Sequence, residues 1–420
     1  MKPHLVFFHQ NYPAQFGPII QFLLKHYEVD ITYFSEHRPK PVFPGMEHRF
    51  YRSHNVPKFE NPYFFTRYIE LESRAMYGAY LAYEKQKPRD ADVLIGHVGF
   101  GNLMFFHGAY PEIPTIGFFE IFYDLLGGDR PGFEPALENK LRRPIRNATQ
   151  LLELEYCTKG YSPTRYQRST FPQAYQHKLH TLFDGVDVSR YSPGEVGHQS
   201  ELPCTWPKDA KIVTYVARGL ESYRGFDIFM EMAHRICQVR NDVHFVIAGR
   251  PKTHYGPDLR YIQEPSFKEH VLKQHPFDLS RFHFLDWISE SALADLFRLS
   301  ACHFYWTVPF TLSWSFFQAM ASGALIVGSD TEPVRDVLIH GMNGLMVPPY
   351  DVDTMVQTVL SALDHPQHYQ PLREAARDTV VNQYSFEVCL PKLADFYLSA
   401  LSPASRPSLQ QSTLAAAPSI

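Results

Sequence analysis

The 420-residue chain has little of what announces several common functions. It holds five cysteines, Cys157, Cys204, Cys237, Cys302 and Cys389, and no CxxC pair. An odd, scattered set in a chain of this size argues against a disulfide framework or a zinc ribbon and for reduced thiols in a reducing compartment. There is no surplus of positive charge either. Forty Lys and Arg against 44 Asp and Glu leave a formal charge of -4, so no global basic field exists to hold nucleic acid. HExxH, GxSxG and P-loop patterns are absent, which weakens protease, hydrolase and NTPase readings. Long apolar runs are missing as well. The longest stretch without Asp, Glu, Lys or Arg, 299–329, contains Pro309 and Gly323 and carries Thr307, Thr311, Ser313, Ser315 and Gln318, so it reads as strand, loop, buried helix and strand rather than a membrane span. The N-terminal segment MKPHLVFFHQNYPAQFG has no small-residue cleavage site. The chain reads as cytosolic, with a peripheral membrane contact left open.

Apolar residues make up 45% and charged residues 20% of the chain, a globular composition with material for two or three domains. Short apolar runs alternate with helical patterns. In the first half, strands are expected over 4–9, 28–34, 91–97 and 114–120, with a long Tyr- and Phe-rich helix over 61–86. A Pro-, Gly- and Ser-rich stretch at 192–210 marks a linker, after which the alternation restarts. Strands are expected over 210–218, 242–250, 281–287, 301–307 and 324–330, and helices over 227–240, 290–300, 315–323 and 352–363. Strands separated by helices imply parallel sheets. The Ser/Ala/Pro-rich tail, 402–420, is expected to be disordered.

In open parallel sheets ligands sit beyond the carboxyl ends of strands, which directs attention to the loops. Arg218 and Arg224 follow one strand and suit a diphosphate through their planar forks, although two solvated loop arginines would look the same. The segment 309–315 leads into a helix whose free N–H groups would form an anion site, with Ser313 or Ser315 as cap. A second such end follows at Asp330 or Thr331, with Glu332 in the first turn. His97 and Glu120 each end a strand and are candidates for meeting a hydroxyl or moving a proton, yet most of the 21 histidines in such a chain will be structural. GHVGFGN, 96–102, lacks the full dinucleotide spacing, and the acidic triplets at 90–92 and 351–353 read better as caps than as metal sites.

Together these motifs resemble the retaining glycosyltransferases of family 4. VARGLESYRGFD is similar to that family's basic motif, with Arg224 where lysine is usual. FDGVDVSRYSP resembles its NGVD-type turn. The segment 309–348 resembles its donor-binding signature, and HQNYPAQFG, GHVGFGN and PTIGFFEIFY look like a bacterial subgroup. The resemblance covers roughly residues 4–400. It implies an α/β protein of the GT-B fold, two Rossmann-like domains facing across a cleft: an acceptor domain over 1–197, a donor domain over 198–385, and a helix over 386–401 packing back on the first domain. It further implies a nucleotide-sugar donor, a glycan, lipid-linked or small-molecule acceptor, transfer with retention, and neither metal nor cofactor. Donor contacts would come from Gly17, Arg218, Arg224, Leu312, Ser313, Trp314, Ser315 and Gln318, with Arg218, Arg224, His97 and Glu120 around the reaction. The family's two glutamates fall on Phe310 and Gln318. Gln318 keeps one acceptor for a ribose hydroxyl but lacks the charge. The competing readings are a degenerate relative that binds without transfer and an unrelated dinucleotide enzyme.

Overall fold

The computed structural model describes residues 2–37, 42–52, 65–100, 103–124, 130–196, 201–203 and 206–407. Residues 61–64 of the long helical pattern, Gly101 and Asn102 of GHVGFGN, part of the linker with Cys204, and 408–420 of the tail lie outside them.

Seven strands form the first sheet: β1 (His4–Phe8), β2 (Asp30–Ser35), β3 (Met46–Phe50), β4 (Val93–His97), β5 (Thr115–Phe118), β6 (Lys159–Ser162) and β7 (Leu179–Thr181). Their order is β3-β2-β1-β4-β5-β6-β7, and every pairing is parallel. The second sheet holds β8 (Lys211–Gly219), β9 (Val243–Arg250), β10 (Phe282–Leu285), β11 (Cys302–Tyr305), β12 (Ile326–Ser329) and β13 (Leu345–Val347). Its order is β10-β9-β8-β11-β12-β13, again all parallel. The central strands are buried along their whole length, as β1 and β4 show, because helices cover both faces of an all-parallel sheet. Each sheet reverses its strand order once, at β1/β4 and at β8/β11. That reversal opens a crevice at the strands' carboxyl ends.

The chain divides into two compact units. The first collects Met1–Leu125, Glu138–Asp184 and Cys389–Ile420, and the second Leu126–Leu137 and Gly185–Val388. The cut thus falls at Asp184/Gly185 rather than at 197/198, and a short piece from the first half of the chain joins the second unit. In the first unit Phe8, Phe34, Tyr83 and Phe106 centre one core cluster. Tyr397, from the helix Phe386–Leu398, shares a 2.6 Å hydroxyl contact with Tyr161 and meets the Phe7 ring edge-on. In the second unit Phe226, Phe229, Phe245, Phe304 and Trp306 form the centre. The helix Val352–Asp364 is capped by Asp351, whose carboxylate accepts the Thr354 N–H at 3.0 Å, and Asp92 accepts the His4 N–H at 2.7 Å. The remaining acids of the triplets pair with cations, Asp90 with Lys87 and Asp353 with Arg235, and Asp92 also meets Arg89. The four described cysteines form no disulfide with one another.

Several elements went unseen in the sequence. They include β3, β6, β7 and β13, and the helices Leu137–Tyr156 and Gln370–Gln383. The helix Leu137–Tyr156 holds Pro144 inside it, a residue that reads as a breaker.

Candidate functional site

The second unit builds its site at the β8/β11 reversal. β8 runs to Gly219, so Arg218 lies inside the strand and not beyond it as expected, with its side chain exposed. An irregular register between Val216 and Gly219 marks this end of the strand. Arg218 acts on His254, whose pKa is lowered by burial and then by this positive charge. Arg224 is different. It ends the single turn Ser222–Arg224 and is 7% exposed. Its Nη1 donates to Thr307 Oγ1 at 2.8 Å and to the Thr311 carbonyl at 2.9 Å, with Tyr305 Oη at 3.5 Å. Its guanidinium lies 5.3 Å from the Tyr255 ring and 5.7 Å from the Phe310 ring. Among the described residues no carboxylate pairs with it. The structure thus places Arg224 in the crevice and Arg218 on the surface, and the two share no hydrogen-bond partner.

The turn that carries Arg224 is held from several sides. Glu221 is fully buried, and its Oε2 accepts the N–H groups of His254, Tyr255 and Gly256 at 2.7–2.9 Å. This fixes the loop that brings Tyr255 to the guanidinium. Gly225 follows in the left-handed region, at φ +66°, where a Cβ would lie 2.6 Å from the Trp306 indole. Only glycine meets both conditions.

The helix Trp314–Ala321 starts beside Arg224 through Tyr305, whose hydroxyl also accepts the Ser313 N–H at 3.0 Å. Ser313 occupies the capping position, but neither serine caps as expected. Their hydroxyls bond each other at 2.6 Å, and the helix has no side-chain cap. The Phe316 N–H instead turns back to the Ser313 carbonyl at 3.1 Å. Leu312 is half-buried and Trp314 exposed at the first helical position. Gln318 is half-buried, one turn in, while Phe316, Phe317 and Met320 are buried in the core. The second expected helix end is one turn long, Glu332–Arg335. Thr331 makes no side-chain cap there, and Asp330 is engaged by Arg335. It offers no anion site.

The first unit builds its own crevice at β1/β4. His9 follows β1 and His97 ends β4, with ring centroids 5.1 Å apart, while Glu120 lies just past β5 and not at its end as expected. His9 Nδ1 accepts the Asn11 N–H at 2.8 Å. Burial, reinforced by His97, holds its pKa down at about 3, so it is neutral. His97 is buried, with Nδ1 2.8 Å from the Gln15 amide. Its Nε2 is buried without a hydrogen bond and lies 3.7 Å from the Glu120 carboxylate, beyond hydrogen-bond range. These two candidates are therefore neighbours. Gly17 opens the helix Gly17–His26, and a Cβ there would press on Pro13 Cγ at 3.1 Å. A side chain there would need the Pro13 ring to shift by a few tenths of an ångström.

Beside Glu120 opens a recess lined by Phe100, Tyr123, Arg146, Thr149 and Gln150 among others. Arg146 stacks 5.0 Å from the Tyr123 ring and donates to its hydroxyl at 3.2 Å. The sequence reading missed Tyr123 and Arg146 because it missed the helix that carries Arg146. It missed Glu221 and Tyr255 because nothing in RGLESYR shows that a carboxylate reaches a loop more than 30 residues on. Among the described residues no three His, Cys, Asp or Glu side chains gather as a metal site, and no helix is long and apolar enough to cross a membrane.

Two family models match the chain. Residues 28–191 match the glycosyl transferase family 4 group, and residues 210–365 match the glycosyl transferases group 1. No curated protein matches by sequence. Solved structures that resemble it include the sucrose-phosphate synthase of Thermosynechococcus elongatus (TM-score 0.71, 14% identity, covering 94% of this chain and 98% of that one). A glycosyltransferase from Rickettsia africae has a TM-score of 0.69 at 13% identity, covering 96% and 99%. HepE from Anabaena, solved with UDP and glucose, has a TM-score of 0.66 at 13% identity, covering 96% and 100%. At these identities the likeness is one of fold.

Proposed function

The chain belongs to the family 4 group of glycosyl transferases, and on that footing we propose that it moves a sugar from a nucleotide-sugar donor to an acceptor hydroxyl with retention of anomeric configuration. The observation that carries this reading is Arg224. A buried guanidinium held, among the described residues, by hydroxyls, a carbonyl and two rings is costly to keep, and a bound anion offsets that cost. The anion suited to a planar fork beside the positive end of a helix is a diphosphate. In glycosyl transfer the negative charge grows on the leaving diphosphate, so a preset cation there stabilises the transition state more than the ground state. HepE, of the same fold, was solved with UDP and with UDP-glucose, which agrees with such a donor.

In this reading Arg224, the N–H groups around Trp314 and Ser315, and the Tyr305 hydroxyl hold the diphosphate. Gln318 faces the ribose from one turn inside the helix, with Leu312 beside it. Arg218 contributes at long range from the surface. His97, Glu120 and the recess beside them receive the acceptor. With Arg224 and the helix start supplying the positive charge, the reaction needs no metal.

Phe310 supports a second reading, binding without transfer. It stands where the family carries a glutamate, and its ring lies against the guanidinium. One experiment separates the two. UDP-, GDP- and dTDP-sugars are incubated with an acceptor panel in EDTA, nucleoside diphosphate release is followed, and the product's anomeric configuration is read by NMR. Release with a retained product supports the enzyme. Nucleotide binding without release, across the panel, supports the binder.

A further inference from the structure

We propose that Arg130 is a positioning residue for Arg224, reaching the donor site from a segment some 90 residues earlier in the chain. The proposal rests on the reading of Arg224 as the diphosphate ligand.

Arg130 belongs to the piece Leu126–Leu137 that joins the second unit. It is 5% exposed. Its Nη1 donates to the Ser222 carbonyl at 2.6 Å and to Asp227 Oδ1 at 2.7 Å, and its Nη2 donates to Asp227 Oδ2 at 2.6 Å. Its guanidinium lies 5.0 Å from the Phe133 ring and 5.1 Å from the Trp306 ring. Ser222 opens the single turn that Arg224 ends, and Asp227 lies in the first turn of the helix Phe226–Val239 that follows. Arg130 therefore clamps both flanks of the residue that carries the free positive charge, and it holds Trp306, the ring packed against Gly225.

The charges divide the work. Arg130 is neutralised by Asp227 in a fork-to-fork pair, so it offers little field to a ligand. Among the described residues Arg224 has no such partner, and it keeps its field. A turn of three residues has few hydrogen bonds of its own, so its direction is set from outside. The anchors that do this include Glu221 through the loop 254–256, the Asp258 carboxylate 3.3 Å from the Ser222 N–H, the Tyr215 hydroxyl on the Arg224 carbonyl at 2.9 Å, the Val308 N–H on the Tyr223 carbonyl at 3.2 Å, and Arg130 on the Ser222 carbonyl. Of these, Arg130 alone spans the turn and the next helix. Losing it leaves Arg224 in place but less fixed, and a donor that must be met by a planar fork loses affinity and rate.

The test is a double-mutant cycle on the full chain, with UDP, GDP and ADP titrated calorimetrically well below the melting temperature and the tightest binder carried through. Arg130→Gln is expected to weaken that nucleotide about 10-fold. Because Arg130 acts through Arg224, Arg130→Gln combined with Arg224→Gln is expected to bind no more weakly than Arg224→Gln alone. If Arg130→Gln does not fold, Arg130→Lys takes its place. It keeps a charge for Asp227 but cannot span Asp227 and Ser222 as the fork does, and the same non-additivity is expected. Wild-type affinity in the single variant, or fully additive losses in the cycle, would overturn the proposal while leaving the donor site standing. A wild-type chain that binds none of the three nucleotides would overturn both.

Discussion

At the scale of single residues, the two arginines that look equivalent in RGLESYR do different things. Arg224 is buried and has no counter-ion among the described residues, while Arg218 is exposed at the end of a strand. Removing a preset cation from a developing charge costs on the order of 10²-fold or more in kcat/KM. Arg224→Ala is expected to show that loss. Arg218→Ala should lose no more than a few-fold, since a solvated charge is screened. Steady-state kinetics on the two variants checks this, and equal losses would contradict it. Gln318 poses a related question. It is half-buried at the edge of its helix and not sealed among Phe316, Phe317 and Met320. A carboxylate there stays within reach of water, so Gln318→Glu should change stability by no more than about 1 kcal/mol and leave nucleotide affinity equal or tighter. A melting temperature that collapses would show that the site is dry.

At the scale of elements, the sequence showed best what periodicity and turn chemistry control. The central strands were legible because burial on both faces writes them as continuous Val, Ile and Phe runs, as in HLVFF and VHFVIAGR. The short edge strands, such as LHT and LMV, carry too few residues to stand out. The helix Leu137–Tyr156 was hidden by Pro144, and with it went the Arg146 side of the recess. In the candidate site, the turn that carries Arg224 and the helix that begins at Trp314 both stand out in the sequence. What joins them, Glu221 to the loop 254–256 and Arg130 to Ser222, is contact between distant segments that no local pattern records. The most demanding element is the turn before the helix Phe226–Val239. Gly225→Ala would combine a left-handed backbone with a 2.6 Å approach to Trp306. It should destabilise the protein by a few kcal/mol, seen as a shift of the chemical denaturation midpoint. Replacement without such a shift would mean that Trp306 yields readily.

At the scale of the whole molecule, buried neutral histidines set the response to acid. Burial holds His303, beneath the second sheet's site, down at about 3, and His9 in the first unit is held near the same value. The unfolded chain takes up protons on both near 6.5, while the folded chain refuses them until about 3. The unfolded state therefore binds more protons in that window, and stability falls as pH drops through it. Each residue contributes on the order of a few kcal/mol at the acid end. Melting temperatures taken from pH 7 to pH 4 should decline steadily, and a flat profile would contradict the assignment. The central claim, that the second unit captures a nucleoside diphosphate through Arg224, is tested most directly by the gap between two affinities. UDP is measured against uridine, and GDP against guanosine, on the wild-type chain and on Arg224→Ala. The account predicts that for the base the protein accepts, the diphosphate binds far more tightly than the nucleoside to the wild type, and that Arg224→Ala removes most of this difference while nucleoside affinity stays the same. A gap of the same size in both proteins would contradict it.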